Sequence, residues 1–204
     1  MKKITKKKHL EIAIQNVPKH PKPKIELEQY STPAIIAADL LWNAYSFGDI
    51  IGKNIMDLGC GTGVFAIASK LLGATSAIGI DIDKDSIDLA SSYCTDVDFI
   101  CSDICKLNDD FDVDTIFQNP PFGSQKNAKK GQDLKFIKKA IDLNPSVLYS
   151  FHMASTQKFL IDFFEKHNLK ITHIFRYDFP IPKIYEFHTK ESSNVEVIVI
   201  RATL

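Results

Sequence analysis

Two short stretches of this chain hold residues whose types and spacing suit chemistry. Asn119-Pro120-Pro121-Phe122 ends an apolar run, Asp114-Thr115-Ile116-Phe117-Gln118, and a glycine loop, Asp57-Leu58-Gly59-Cys60-Gly61-Thr62-Gly63, lies about sixty residues earlier. The first stretch suits an exocyclic amine such as N6 of adenine, whose lone pair is delocalised into the ring and must be oriented before it can attack. The side-chain carbonyl of Asn119 and the backbone carbonyl of Pro120 can each accept one hydrogen of an NH2 group, aiming its lone pair. Consecutive prolines fix φ and force the preceding residues to be extended, so these carbonyls point in set directions. Phe122 offers a ring face on which a base can stack, with Pro121 beside it in the same substrate-binding stretch. A plainer reading is that proline stops a strand and asparagine makes a turn; the glycine loop upstream favours the chemical one.

Gly59, Gly61 and Gly63 form G-x-G-x-G rather than the G-x-G-x-x-G of dinucleotide binders. Asp57 precedes the loop at the end of the strand Asn54-Ile55-Met56, where a carboxylate repels a pyrophosphate but favours an ammonium or a sulfonium. S-adenosylmethionine carries both and has no phosphate, and it is the expected cofactor. A second strand ends in Asp81, placed to accept ribose hydroxyls, and a third ends in Ser102-Asp103, placed for an adenine amino group. The expected cofactor-binding set here is Asp57, Gly59, Cys60, Gly61, Asp81, Ile82, Asp103 and Asn119. Each aspartate could instead cap the helix that follows its strand; three at successive strand ends weigh against that reading alone.

The elements that must position these residues alternate. Helix is expected over 4–16, a Pro-Lys linker over 18–24, and helix over 35–45 with Thr32 as N-cap and Pro33 at the first helical position. From Asn54 the pattern predicts strand 54–58, helix 63–72, strand 76–81, helix 84–92, strands 97–101 and 114–118, helix 132–142, strand 146–151 and helix 155–167. The last apolar runs, 171–179 and 195–201, have no helix between them and read as an antiparallel closing hairpin. The expected fold is α/β, a doubly wound, mainly parallel seven-stranded sheet with an antiparallel C-terminal hairpin and a short N-terminal helical extension. Residues 1–24 would form the basic helix and linker, and 25–204 a single domain. In such a sheet ligands bind at the carboxyl ends of strands where the winding reverses, so the first and fourth strands would bring Asp57, the glycine loop and Asn119 together.

Composition restricts the function further. No apolar run approaches the roughly 20 residues needed to span a bilayer, and the Lys-rich start lacks the apolar core of a signal peptide, so a cytoplasmic location is expected. Cys60, Cys94, Cys101 and Cys105 contain no C-x-x-C pair, and no metal site is expected. The net charge is zero, yet residues 1–24 hold eight lysines against Glu11, while residues 81–114 hold eleven aspartates against two lysines. A second basic stretch, Lys126, Lys129, Lys130, Lys135, Lys138 and Lys139, directly follows the proposed amine site, where a nucleic-acid backbone would run.

The order of the two motifs resembles the Rossmann-like class I S-adenosylmethionine-dependent methyltransferases, and the Asn-Pro-Pro-Phe resembles their N6-adenine branch. More narrowly, Leu27-Glu28-Gln29-Tyr30-Ser31-Thr32-Pro33, Asn119 to Gly123, Tyr149-Ser150-Phe151-His152 and the tail from Phe179-Pro180 through Phe187-His188-Thr189-Lys190 to Val197 are similar to the small archaeal and eukaryotic ribosomal RNA adenine N6-methyltransferases of the methyltransferase-like 5 type. Met153 stands where a lysine often follows in that family. The resemblance implies that Gln29, Tyr30 and Thr32 contact the methionine part of the cofactor and that Asp57 and Gly59 contact its amino group. It gives the ribose to Asp81 and the adenine to Asp103. Asn119 and Phe122 would hold the target base, and Phe187, His188 and Lys190 would face RNA. It also implies a small zinc-binding methyltransferase activator as partner, for which strand 97–101 offers an apolar sheet edge. Two rival functions are N5 methylation of a glutamine in a translation factor, which poses the same amide NH2 problem, and a non-catalytic cofactor-binding, RNA-binding subunit.

Overall fold

The computed structural model describes residues 4–20, 22–24, 27–29, 31–122, 131–182 and 192–204. Seven strands, β1 (Asn54–Leu58), β2 (Ser76–Asp81), β3 (Asp98–Cys101), β4 (Thr115–Gln118), β5 (Val147–Met153), β6 (Lys170–Pro182) and β7 (Ser192–Thr203), form one sheet in the order β3-β2-β1-β4-β5-β7-β6. The first five pair in parallel, and β7 pairs antiparallel with both β5 and β6. The winding reverses between β1 and β4, so the carboxyl ends of these two strands flank a crevice.

Alternation along each strand divides the side chains between two cores. Phe117 and Tyr149 face one side, with α2 (Ala34–Ser46), α3 (Val64–Leu71) and α1 (Lys7–Gln15); Ile116 and Leu148 face the other, with α5 (Gln132–Asp142) and α6 (Gln157–Lys166). Leu10, Ile14 and Val17 are buried in the first core, so the N-terminal helix packs onto α2 and α3. The remaining helix, α4 (Lys84–Tyr93), follows β2.

The ends of several elements differ by one to three residues from the sequence expectation, and two of the differences have a structural reason. Helix α2 takes Pro33 rather than Thr32 as its N-cap, and the Thr32 hydroxyl accepts a bond from Asn119 instead of from the helix. The hairpin strands run past their expected ends, pairing Pro180 with Asn194 and Pro182 with Ser192. Proline normally ends a strand for want of an N–H, but β6 lies at the edge of the described sheet, with a ladder partner on one side only, where proline is tolerated. No helix among the described residues is long and apolar enough to cross a membrane.

Candidate active site

The glycine loop is drawn tight against β2. Gly59 and Cys60 both donate their N–H to the carbonyl of Ile80, at 2.8 and 2.9 Å. Gly59 has φ 71°, and a Cβ there would lie 2.9 Å from the Phe136 ring, so side chains are excluded by conformation and by space. Gly63 caps α3 in the left-handed region, φ 87°, and a Cβ there would meet Phe99 at 2.6 Å.

Above the loop lies a cavity of about 520 Å³, a volume suited to a nucleoside-sized ligand. Gln29, Thr32, Gly59, Cys60, Gly61, Asp81, Ile82, Asp103, Asn119 and Pro121 all line it. Asp81 Oδ2 accepts the Gly61 N–H at 2.8 Å and Oδ1 accepts that of Asp83 at 2.8 Å, which fixes the carboxylate and leaves lone pairs for a ligand's hydroxyls. Burial pushes its pKa up against these two hydrogen bonds. Asp103 accepts the Cys105 N–H at 3.0 Å, capping a short 3-10 turn while also facing the cavity. Burial likewise pushes the Cys60 thiol well up, so it is a neutral wall residue. Asp81 and Asp103 line the cavity with a single lysine, Lys135, so that acidic side chains outnumber basic ones there, which fits a cationic ligand better than a phosphate.

Asp57 is placed otherwise than the sequence suggested. It does not line the cavity but lies beneath the loop, 1% exposed, with Oδ2 accepting the Ala66 N–H of α3 at 3.2 Å. Burial pushes its pKa up to about 7, with the nearby Asp81 charge adding to the effect. Gln29 lines the cavity, and its amide is bonded to Lys24, Asp83 and Ser86.

Asn119 follows the last residue of β4 and lines both the cavity and a small adjoining recess formed with Glu28, Pro120, Phe122 and Phe179. Its Nδ2 donates to Thr32 Oγ1 at 3.0 Å, which fixes the amide plane and turns Oδ1, the acceptor, away from that hydroxyl. Phe122 is braced edge-on by the buried Phe179, with ring centroids 6.5 Å apart at 88°. Behind Asn119, the Gln118 Nε2 donates to Ser150 Oγ at 2.8 Å, and Ser150 contacts His152 Nε2 at 2.7 Å.

The model of the methyltransferase small domain matches residues 36–146. The chain belongs to this methyltransferase family. An uncharacterised protein of Methanocaldococcus jannaschii is 42% identical over 97% of this chain and 94% of its own. The rRNA N(6)-adenosine-methyltransferase METTL5 of Danio rerio is 34% identical over 97% of this chain and 99% of its own. Among solved structures, a presumed RNA methyltransferase of Pyrococcus horikoshii superposes with a TM-score of 0.87 at 36% identity, covering 98% of both chains.

For this methyltransferase, then, the glycine loop, Asp81, Asp103 and Asn119, singled out in the sequence, line one cavity together, and residues brought from afar that the sequence did not single out join them. Glu28 lines both the cavity and the recess, in a left-handed backbone conformation with φ 48°. His20 and Phe136 also line the cavity. Glu28 was within reach of sequence reading through its place beside Gln29; His20, in a Pro-Lys linker, carried no signal. Tyr30, Lys126, Lys129, Lys130, Phe187, His188 and Lys190 lie outside the described residues.

Proposed function

We propose that the protein transfers a methyl group from S-adenosylmethionine to N6 of an adenine in structured RNA, with ribosomal RNA as the substrate class. The observation that carries this reading is Asn119, which lines both the cavity and the recess and is held by Thr32 with its carbonyl released. S-adenosylmethionine supplies the electrophilic methyl group. Asp81 and Asp103 would hold its ribose and adenine, and Gly59, Cys60, Gly61 and Ile82 would form the walls around it. Asn119 Oδ1 and the Pro120 carbonyl accept the two hydrogens of the target amine, Phe122 stacks on the base with Pro121 alongside, and Phe179 keeps that ring in place. The protein contributes orientation and fixed dipoles rather than a covalent step. The base must leave its stack to reach the recess, which a loop or bulge in RNA makes easier.

The rRNA N(6)-adenosine activity named for the zebrafish relative, similar along its whole length, supports RNA over a glutamine amide. The intact Asn119 arrangement supports catalysis over a purely binding subunit. Lys126, Lys129, Lys130, Phe187, His188 and Lys190 are assigned to the RNA, Tyr30 to the cofactor, and the site of action to the cytoplasm. A partner fits at β3, the edge of the described sheet, where Phe99 and Ile100 are half-buried and no described strand pairs on the outer side; a small zinc-binding methyltransferase activator is the proposed occupant.

Replacing Asn119 by Ala is expected to lower methyl transfer to RNA by at least about a hundredfold, the scale of losing an acceptor that orients the reacting group. Calorimetry should find S-adenosylmethionine binding preserved. Equal loss of cofactor affinity would refute this division of roles, and labelled methyl appearing in protein rather than RNA would refute the substrate.

A further inference from the structure

Asp83 occupies the N-cap position of α4, where a carboxylate normally accepts N–H groups of the first helical turn, yet its side chain makes no such bond. It is turned toward the N-terminal segment. Oδ2 accepts from Gln29 Nε2 at 2.7 Å and from Ser86 Oγ at 3.0 Å, and Oδ1 accepts a short bond from the Lys24 ammonium. Gln29 Oε1 in turn accepts the backbone N–H of Lys24 at 2.8 Å, closing a ring of interactions. His20 Nδ1 accepts the Lys22 N–H at 3.2 Å, which leaves the ring proton on Nε2, 3.2 Å from Asp83 Oδ2 though off the line of a hydrogen bond. Three residues spread over ten positions of the N-terminal segment thus converge on one carboxylate whose side chain is 2% exposed.

The converging residues and the cavity are connected. His20 and Gln29 line the cavity, as do Leu27 and Thr32 from the same stretch, whereas Asp83 does not. The backbone N–H of Asp83 is bonded to Asp81 Oδ1, so one residue ties the strand-end carboxylate to the N-terminal wall facing it. His20, Asp83 and Asp85 have the spacing of a cation site. The Lys24 ammonium already bridges both carboxylates and supplies the positive charge there.

We propose that Asp83 is a positioning residue that holds His20, Lys24 and Gln29 beside the Asp81 side of the cavity, and so sets how slowly a bound nucleoside cofactor leaves. The proposal rests on the cofactor reading above. A wall held by side-chain bonds to a distant segment controls escape more than encounter, so its loss is read in the dissociation rate.

The test uses the full chain and S-adenosylhomocysteine as probe, with dissociation followed by stopped-flow displacement. For Asp83→Asn and Lys24→Met the dissociation rate is expected to rise about tenfold each, with the double variant no faster than the faster single one, as for two groups serving one interaction. Lys24→Arg should restore slow dissociation, a rescue that general loss of packing would not give. Trypsin cleavage after Lys19 should be slowed by the probe in the unaltered protein and not in Asp83→Asn. If Asp83→Asn fails to fold, Lys24→Met and Lys24→Arg decide. Dissociation rates equal to the unaltered protein in the variants overturn the proposal alone. A probe that does not bind the unaltered protein overturns the cofactor reading and the proposal with it.

Discussion

Asp57 carries a cost that the rest of the site accepts. Its carboxyl is buried beneath the glycine loop with a folded pKa of about 7, against 3.8 ordinarily. Between those values the folded state holds a proton that the unfolded chain has released, so stability falls as pH rises through this window and levels off above it. The loss amounts to at most about 4 kcal/mol. Asn cannot ionise and keeps an oxygen for the Ala66 N–H. Asp57→Asn is therefore expected to match the unaltered protein near pH 4 and exceed it in urea unfolding near pH 8, without ligand; a difference that stays constant with pH would disprove the assignment. At this scale the sequence showed which residue types lay at the strand ends but not how each is used. Asp57 and Asp103 both bond to the N–H groups that follow them, as capping predicts, yet only Asp103 also faces the cavity. That difference depends on side-chain direction, which spacing along the chain does not encode. Glu28 and His20 escaped for a related reason: their place at the cavity follows from the path of an irregular segment.

The elements themselves were more legible. Alternating apolar runs gave seven strands, the parallel sheet and its reversal between β1 and β4, because every strand and helix must bury a face with its own period. The ends were less so, since Pro180 and Pro182 read as strand stops until β6 is known to be an edge. No periodicity announced the polar cluster that joins the elements behind the sheet. Asp49, between α2 and β1, accepts both Arg201 Nε and Nη2 at 2.8 and 2.9 Å, and the Tyr149 hydroxyl at 2.5 Å. It thereby links that connection to β5 and β7, and burial together with the Asp49 charge pushes the tyrosine pKa far up. Asp49→Ala would leave the Arg201 guanidinium, 11% exposed, without its counter-charge. The expected loss is about 3–5 kcal/mol of folding stability, with Arg201→Met added to Asp49→Ala recovering most of it. Denaturant midpoints of the three variants check this, and an additive double variant would contradict it.

For the whole molecule, zero net charge conceals a division into basic and acidic regions, and the fold decides which basic residues are free to meet RNA. In the basic stretch after the Asn-Pro-Pro-Phe segment, Lys139 is withdrawn from solution: its ammonium donates to the Leu107 carbonyl and to Asp109, both at 2.8 Å. Lys135 and Lys138 on the same helix are exposed, and Lys135 also lines the cavity. In α1, Lys7 pairs with Asp39 at 2.7 Å. A lysine already matched by a carboxylate releases little counterion when a phosphate approaches, whereas an exposed one releases its share. RNA affinity is therefore expected to fall as salt rises. Replacing Lys135 and Lys138 with Gln should make the log–log slope shallower by about 1.4, the single-strand value for two phosphate contacts. Lys139→Gln should leave that slope unchanged and instead lower the unfolding midpoint, because it removes a half-buried bond between α5 and the segment after β3. Fluorescence anisotropy with a looped RNA across a salt series measures the slopes, and urea unfolding measures the midpoint. An unchanged slope in the double variant would mean that this helix does not face the phosphate backbone, and the RNA path would have to be redrawn.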